Sequence, residues 1–319
     1  MTKVNEALRL SNELLFNTLN TPVPGLSEMT SYLAQSTGKS IRSLLLLTAA
    51  ADFENNVHDD AVRAAACIEL LHMATLIHDD VMDNADTRRG LPALHQKFGT
   101  KSAVICGDFL LSQSMLMFSS IDTKRLEDIE NHAVLISNIS KALAGVCKGE
   151  YLQHANFQNL DLNLRSYLKI ISGKTAALFS ASAYIGAIIG GESIKTAHEL
   201  RRFGRFIGIV FQIVDDCNDY ELTQDQALKP VGSDIKNGVI TLPLILAMRK
   251  TPELREFAKE IMESQTDAKM FVQAVRDSGG SGMARDMAGR YNKWAQGVLQ
   301  TVSPQKKEAL LEILQKIKI

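Results

Sequence analysis

His72-Met73-Ala74-Thr75-Leu76-Ile77-His78-Asp79-Asp80-Val81-Met82-Asp83 ends an apolar run on three carboxylates, and Phe211-Gln212-Ile213-Val214-Asp215-Asp216-Cys217-Asn218-Asp219 repeats the arrangement. Each triplet reads D-D-x-x-D inside a stretch whose apolar residues recur at helical intervals. At about 100° per residue, the first and last aspartates lie about 40° apart and the middle one about 100° from the first. All three carboxylates of each triplet are therefore expected on one arc of a helix. Two such arcs facing one another would form an acidic pocket that needs cations to be stable. Mg²⁺ suits it, because it takes carboxylate oxygens, keeps several waters and completes its shell with phosphate oxygens. A solvated acidic face explains one triplet more easily than two, each preceded by an apolar turn. His58-Asp59-Asp60 has no third carboxylate and opens a helix, where acids suit the macrodipole. His72 lies two turns before Asp79 on the same face, and Gln212 lies on the arc of Asp215 and Asp219. Gly208, at the position matching His72, is expected to leave room for a ligand.

Outward from the triplets the chain reads as helix after helix. No proline occurs between Pro92 and Pro230, and Val/Ile/Thr alternation typical of strands is nearly absent. Helices are expected over residues 3–19, 26–35, 39–52, 59–84, 100–120, 125–155, 163–190, 194–221, 238–250, 253–264, 267–278 and 282–318, the last broken near Pro304. With no Gly/Ser-rich linker and no composition shift, residues 1–319 read as a single all-α domain. The 35 basic residues balance 36 acidic ones, so no basic field exists to hold nucleic acid. The most apolar stretch, 176–191, is interrupted by Ser180, Ser182 and Tyr184 and reads as a buried helix, so no transmembrane segment is expected. Scattered Cys67, Cys106, Cys147 and Cys217 suit a reducing cytoplasm.

Cations stand near both triplets. Asp86-Thr87-Arg88-Arg89-Gly90-Leu91-Pro92 follows the first, and guanidinium groups bind phosphate oxygens in bidentate fashion. Gly38-Lys39-Ser40-Ile41-Arg42 opens an apolar helix with cations three apart on one face. Gly173-Lys174-Thr175 puts a lysine into another apolar helix, and a polar loop runs from Lys229 to Gly238. No P-loop pattern is present.

In this order, these motifs resemble those of the trans-type polyprenyl diphosphate synthases, and the long-chain heptaprenyl and octaprenyl diphosphate synthases in particular. The resemblance covers residues 35–245 by motif and the rest more loosely. It implies an isoprenoid-synthase fold, a bundle of ten or more helices around a central cavity, usually dimeric. It implies that Asp79, Asp80, Asp83, Asp215, Asp216 and Asp219 bind two to three Mg²⁺ ions bridging an allylic diphosphate. Arg88, Lys174 and Lys229 would hold that diphosphate, and Lys39, Arg42, His72 and Arg89 would hold isopentenyl diphosphate. Thr175, Gln212 and nearby carbonyls would stabilise the allylic carbocation; no side-chain general base is evident. Small residues at Ala74 and Thr75, beside the expected path of the growing tail, point to a product of C30–C50, of the kind used for quinone side chains.

Two departures stand out. The lysine that many members carry after the loop glycine is Val239, and the usual G-G-K-R-x-R-P reads Thr37-Gly38-Lys39-Ser40-Ile41-Arg42-Ser43. Some members with a non-lysine residue at the Val239 position work only with a smaller partner polypeptide; a homodimer is the expectation, and the catalytic subunit of such a heteromer the alternative. A short-chain (C15–C20) synthase, a class I terpene cyclase, an HD-type metal phosphohydrolase and a non-catalytic subunit each share part of the pattern. The second triplet argues against the cyclase and, with Arg88-Arg89, against the phosphohydrolase. Two intact triplets argue against a subunit that only binds.

Overall fold

The computed structural model describes residues 1–35, 38–121, 130–221, 232–264 and 268–317. Helices dominate: α1 (Val4–Leu19), α2 (Leu26–Ala34), α3 (Ile41–Ala50), α4 (Asp59–Met82), α5 (Leu94–Phe98), α6 (Thr100–Ser119), α7 (Glu130–His154), α8 (Leu164–Ile171), α9 (Ala177–Ile189), α10 (Ile194–Glu221), α11 (Ser233–Lys236), α12 (Leu242–Lys250), α13 (Leu254–Ser264), α14 (Lys269–Asp277), α15 (Gly280–Gly297) and α16 (Pro304–Lys316). Two antiparallel pairs, Thr2–Lys3 with Asn56–Val57 and Thr87–Arg88 with Leu91–Pro92, are the described strands. The chain is all-α, as its periodicity implies.

Residue packing divides the chain into two compact units, residues 1–139, 181–201 and 301–313 in one and residues 140–180, 202–300 and 314–319 in the other. The chain passes between units within α7, α9, α10 and α16, and once between α15 and α16.

In the first unit α4 is the central element. Its Ala64, Ala65, Ile68 and Leu70 are fully buried, because small and branched residues at three- and four-residue spacing let neighbouring helices approach. Around its C-terminal half, Leu70, Ala74 and Ile77 pack with Leu15, Leu19, Tyr32, Cys106 and Leu110. The helix begins on His58, whose ring nitrogen accepts from the Asp60 backbone N–H at 3.2 Å. By length and composition α4 and α6 are apolar enough to cross a membrane, rather than the 176–191 stretch. Most of α4's apolar window is buried inside the protein, as in the core helix of a globular unit.

In the second unit α10 is the axis. Phe203, Ile207, Val210, Ile213 and Tyr220 are buried along it, and Phe179 and Phe211 stack with centroids 5.5 Å apart. The helix expected over 163–190 is not continuous: residues Ser172–Ala176 form a π turn between α8 and α9. Glycines explain how this turn is held. A Cβ on Gly149 of α7 would fall 2.1 Å from the Lys174 backbone nitrogen, and one on Gly173 would fall 2.7 Å from the Gly145 carbonyl. Backbone therefore packs on backbone where the turn widens, and π turns of this kind recur at functional sites.

Candidate active site

Four residues cluster in the first unit, Arg42, Glu69 and His72 from before the first triplet and Arg89 from after it. Arg42, in the first turn of α3, holds its Nη1 3.1 Å from Nε2 of His72 on α4. Glu69, one turn before His72, accepts from the Ser43 backbone N–H at 3.4 Å and from its hydroxyl at 3.2 Å. Arg89 lies against Gly38, where a Cβ would meet its guanidinium at 2.5 Å. Burial brings Arg42 down to about 10, against the opposing charge of Glu69. Burial, reinforced by the charges of Arg42, Arg89 and Arg88, holds His72 well below its ordinary range, so the ring is neutral. The cluster is a cationic cradle with a neutral imidazole hydrogen-bonding partner. Lys39 is exposed and precedes α3, with Ser40 capping the helix in a left-handed conformation. The two cations therefore do not share a helical face as the spacing implied; the helix begins two residues later than expected.

A two-residue hairpin aims the paired arginines. Thr87–Arg88 pairs with Leu91–Pro92, and Arg89 (φ 52°) with Gly90 (φ 80°) form the turn. Positive φ at both central residues is the requirement of a type I′ hairpin, and Gly90 meets it without strain. The Tyr32 hydroxyl fixes the far strand by donating to the Pro92 carbonyl at 2.8 Å. Arg88 leaves this hairpin to grip Asp80: its Nε donates to Oδ1 at 2.9 Å and Oδ2 at 3.2 Å, and its Nη2 to Oδ1 as well. Asp80 is buried, Asp79 half-buried and Asp83, the C-cap of α4, exposed. The three therefore do not present one exposed arc. The middle carboxylate is turned about 100° from the first and meets the hairpin.

The second triplet divides in another way. Asp215 is exposed, while Asp216 and Asp219 are buried. Asp216 accepts from the Tyr167 hydroxyl at 2.6 Å and from Gln212 Nε2 at 2.8 Å, and Gln212 Oε1 in turn accepts from Thr175 Oγ1 at 2.6 Å. Burial, then the Asp234 carboxylate, pushes Asp216 up to about 7, against these hydrogen bonds. Asp219 receives the Ser233 and Asp234 backbone N–H groups at 3.3 and 3.1 Å and the Ser233 hydroxyl at 3.1 Å. Gly232, left-handed at φ 73°, shapes this turn by donating its N–H to the Asp219 carbonyl at 3.0 Å. Lys174 projects from the π turn to pair with buried Glu150 at 2.7 Å. Lys229 lies outside the described residues.

Gly208 does not leave space for a ligand. A Cβ there would fall 2.5 Å from the Ala176 Cα, so this glycine lets α10 approach the end of the π turn. Ala74 is enclosed by the core of the first unit, and the Thr75 hydroxyl donates to the His72 carbonyl at 2.8 Å. Glu69, Glu150 and Tyr167 join the site without belonging to any motif of the sequence. Glu69 has a signal, since it lies three residues before His72 on the same face, and Tyr167 sits seven residues before Lys174. Glu150 carries none beyond being a lone acid after Gly149.

Comparison with known proteins decides the family. The polyprenyl synthetase family model matches residues 23–277. This chain belongs to the polyprenyl synthetase family. It is 34% identical over 269 residues to heptaprenyl diphosphate synthase component 2 of Bacillus subtilis, covering 84% of this chain and 74% of that protein. It is also 34% identical over 261 residues to geranylgeranyl diphosphate synthase of Methanosarcina mazei, covering 82% and 78%. Among solved structures, heptaprenyl diphosphate synthase of Staphylococcus aureus superposes with a TM-score of 0.87 at 30% identity over 99% of this chain and 98% of that one. As a polyprenyl synthetase the chain is a trans-prenyltransferase with the isoprenoid-synthase fold.

Family members generally use a divalent metal. Among the described residues no three His, Cys, Asp or Glu side chains already converge as a metal cage. The donor chemistry nevertheless fits: the triplets offer only carboxylate oxygens, the ligands of a hard cation. The raised Asp216, crowded by Asp234 and Asp215, is the electrostatic condition that a cation relieves.

Proposed function

We propose that this protein is a Mg²⁺-dependent synthase that condenses an allylic diphosphate with successive isopentenyl diphosphates into a long all-trans chain, C30–C50, for quinone side chains. The observation that carries this is the charge arrangement at each triplet: a guanidinium seated on Asp80, and, in the other unit, an ammonium ion on the π turn next to Thr175, which bonds Gln212. Both cations can exchange a carboxylate for a phosphate oxygen, so each triplet is suited to a diphosphate accompanied by metal.

Mg²⁺ held by Asp79, Asp80, Asp83, Asp215, Asp216 and Asp219 would neutralise charge that develops on the departing diphosphate. Arg88 and Lys174, with Lys229, orient that group. The C–O bond breaks with its electron pair going to diphosphate, leaving an allylic cation. Thr175 and Gln212 present oxygens that favour the cation over its neutral precursor. Arg42, neutral His72, Arg89 and Lys39 hold the diphosphate of the second substrate so that its alkene carbon attacks the cation, forming the new C–C bond. A proton then leaves the resulting cation for the departed diphosphate, which restores the double bond and needs no side-chain base.

We also read residues 1–319 as one catalytic domain, cytoplasmic and homodimeric; the unbroken family match across both units supports the first of these. A small partner polypeptide is the alternative to the homodimer, favoured by Val239 and by the likeness to a protein named as component 2. Incubating the purified chain with labelled isopentenyl diphosphate and C10, C15 or C20 primers, then sizing the products, tests activity, length and self-sufficiency together. Robust elongation to C30 or beyond by the chain alone is expected; a folded but inactive protein would require the partner. A shorter product is the second reading, favoured by the enclosure of Ala74 in packed core. If Ala74 borders the growing tail, Ala74→Phe shortens the product without abolishing the first condensation. An unchanged distribution in that variant removes this position from length control.

A further inference from the structure

A groove of about 860 Å³ lies wholly in the second unit, on the surface formed by α8, α10, α12 and α15, and the triplets contribute nothing to its lining. That volume is within the range of sites that bury a small ligand, about 300–1,000 Å³. Four cations line it: Arg165, Lys169, Arg205 and Arg249. None of them forms an ion pair or side-chain hydrogen bond among the described residues, and no acidic residue lines the groove with them. One wall is an aromatic cluster, Phe206, Tyr291 and Trp294, with ring centroids 4.9 to 6.1 Å apart. Leu168 and Ile209 continue its apolar surface.

Both halves of this surface are unusual for a face without a ligand. Uncompensated like charges repel one another, and exposed aromatic surface is unfavourable in water. One kind of molecule relieves both, a phosphate ester whose head meets the cations while an apolar chain covers the rings. We propose that the groove is a second binding site for a prenyl diphosphate, distinct from the reaction site and filled by the enzyme's own class of product. The prenyl half of this assignment rests on the function proposed above. A single prenyl chain is favoured over a membrane surface because the four cations and the aromatic rings line one and the same groove. Position gives binding a route to catalysis. Ser172 of the groove begins the π turn that carries Lys174 and Thr175, and Ile209 lies three residues before Gln212.

Trp294 is the single tryptophan of the chain, so its fluorescence reports on this groove alone. Farnesyl diphosphate titrated in EDTA into the full chain is expected to change that fluorescence saturably. The double variant Lys169→Glu with Arg205→Glu should raise the half-saturating concentration at least tenfold, with unchanged circular dichroism and elongation turnover within twofold of the parent. Should the reversal fail to fold, the milder Lys169→Gln with Arg249→Gln should raise it at least threefold. Unchanged titration by the folded charge variants would overturn the proposal. So would inorganic diphosphate saturating at the same concentration as farnesyl diphosphate, or a response confined to phosphatidylglycerol vesicles. Elongation measured in parallel reports on the proposed function separately, since a folded chain that is inactive alone but keeps its titration would require the partner polypeptide and leave the site standing.

Discussion

In α4 the middle aspartate of the triplet is held by a cation, and in α10 the middle aspartate is held by two neutral donors. Asp80 is buried but its charge is matched by Arg88, delivered by a hairpin five residues past the end of the helix. Asp216 is equally buried, yet Tyr167 and Gln212 offer it only dipoles, and Asp234 adds a like charge. A buried carboxylate opposed only by hydroxyl and amide groups shifts toward its protonated form, as Asp216 does. Two copies of one sequence pattern therefore differ at their middle aspartate: Asp80 faces a cation, whereas Asp216 faces neutral donors and stands to gain more from an added one.

The largest expected effect tests what the two have in common. Asp79→Ala and Asp215→Ala should each lower elongation about 10²-fold or more, several kcal/mol of barrier, because each removes charge that a leaving diphosphate requires. Near-normal turnover by either folded variant in Mg²⁺ would break the equivalence of the two triplets.

The next pair sharpens the difference. Arg88→Ala strands the buried Asp80 carboxylate without its cation, and should cost about 1–3 kcal/mol of stability in addition to activity. Tyr167→Phe removes a 2.6 Å hydrogen bond from a group already shifted toward neutrality, and should cost less, about 1 kcal/mol. Denaturant titrations of the two variants in EDTA measure both; a larger loss for Tyr167→Phe would reverse the ranking.

A pH series separates the triplets further. Asp216 is raised from 3.8 to about 7 in the folded protein, so between these values the unfolded chain releases its proton first. Stability from this group is therefore greatest below the unfolded value and falls as pH rises through about 7. In EDTA the melting temperature should be lower at pH 8 than at pH 5.5, with Asp216→Asn reducing the gap. Mg²⁺ should raise the melting temperature more at pH 8 than at pH 5.5. A gap of the same size in Asp216→Asn would assign the pH dependence elsewhere.

The smallest effect concerns Asp219. Ser233→Ala removes the hydroxyl donor to its carboxylate and leaves both backbone donors, so about 0.5 kcal/mol is expected. A larger loss, measured by denaturant titration, would make the hydroxyl the principal support of the turn.

Much of the fold is legible locally. Helical spacing, proline positions and caps each act over a few residues, and the expected bounds of α1, α2, α4, α6, α10 and α13 agree with the structure to within two residues at each end. The π turn is not legible, because nothing in Ser172–Ala176 itself demands the extra residue; Gly149 and Gly145 of α7 press on its backbone from elsewhere. Gly208 misleads for the same reason, since an absent side chain looks alike whether it admits a ligand or a neighbouring helix.

At the site, the sequence by itself determined which residues carry charge and their angular order on α4 and α10, because the helical repeat sets that order within a single turn. Tertiary structure alone decided what each charge meets. Arg88 reaches Asp80 because a left-handed Arg89-Gly90 turn folds the hairpin back. Tyr167 reaches Asp216 across 49 residues of chain because α8 packs beside α10. Angular position along a helix is a local property of backbone geometry, whereas the identity of a buried carboxylate's partner depends on which distant side chain the packing brings to it.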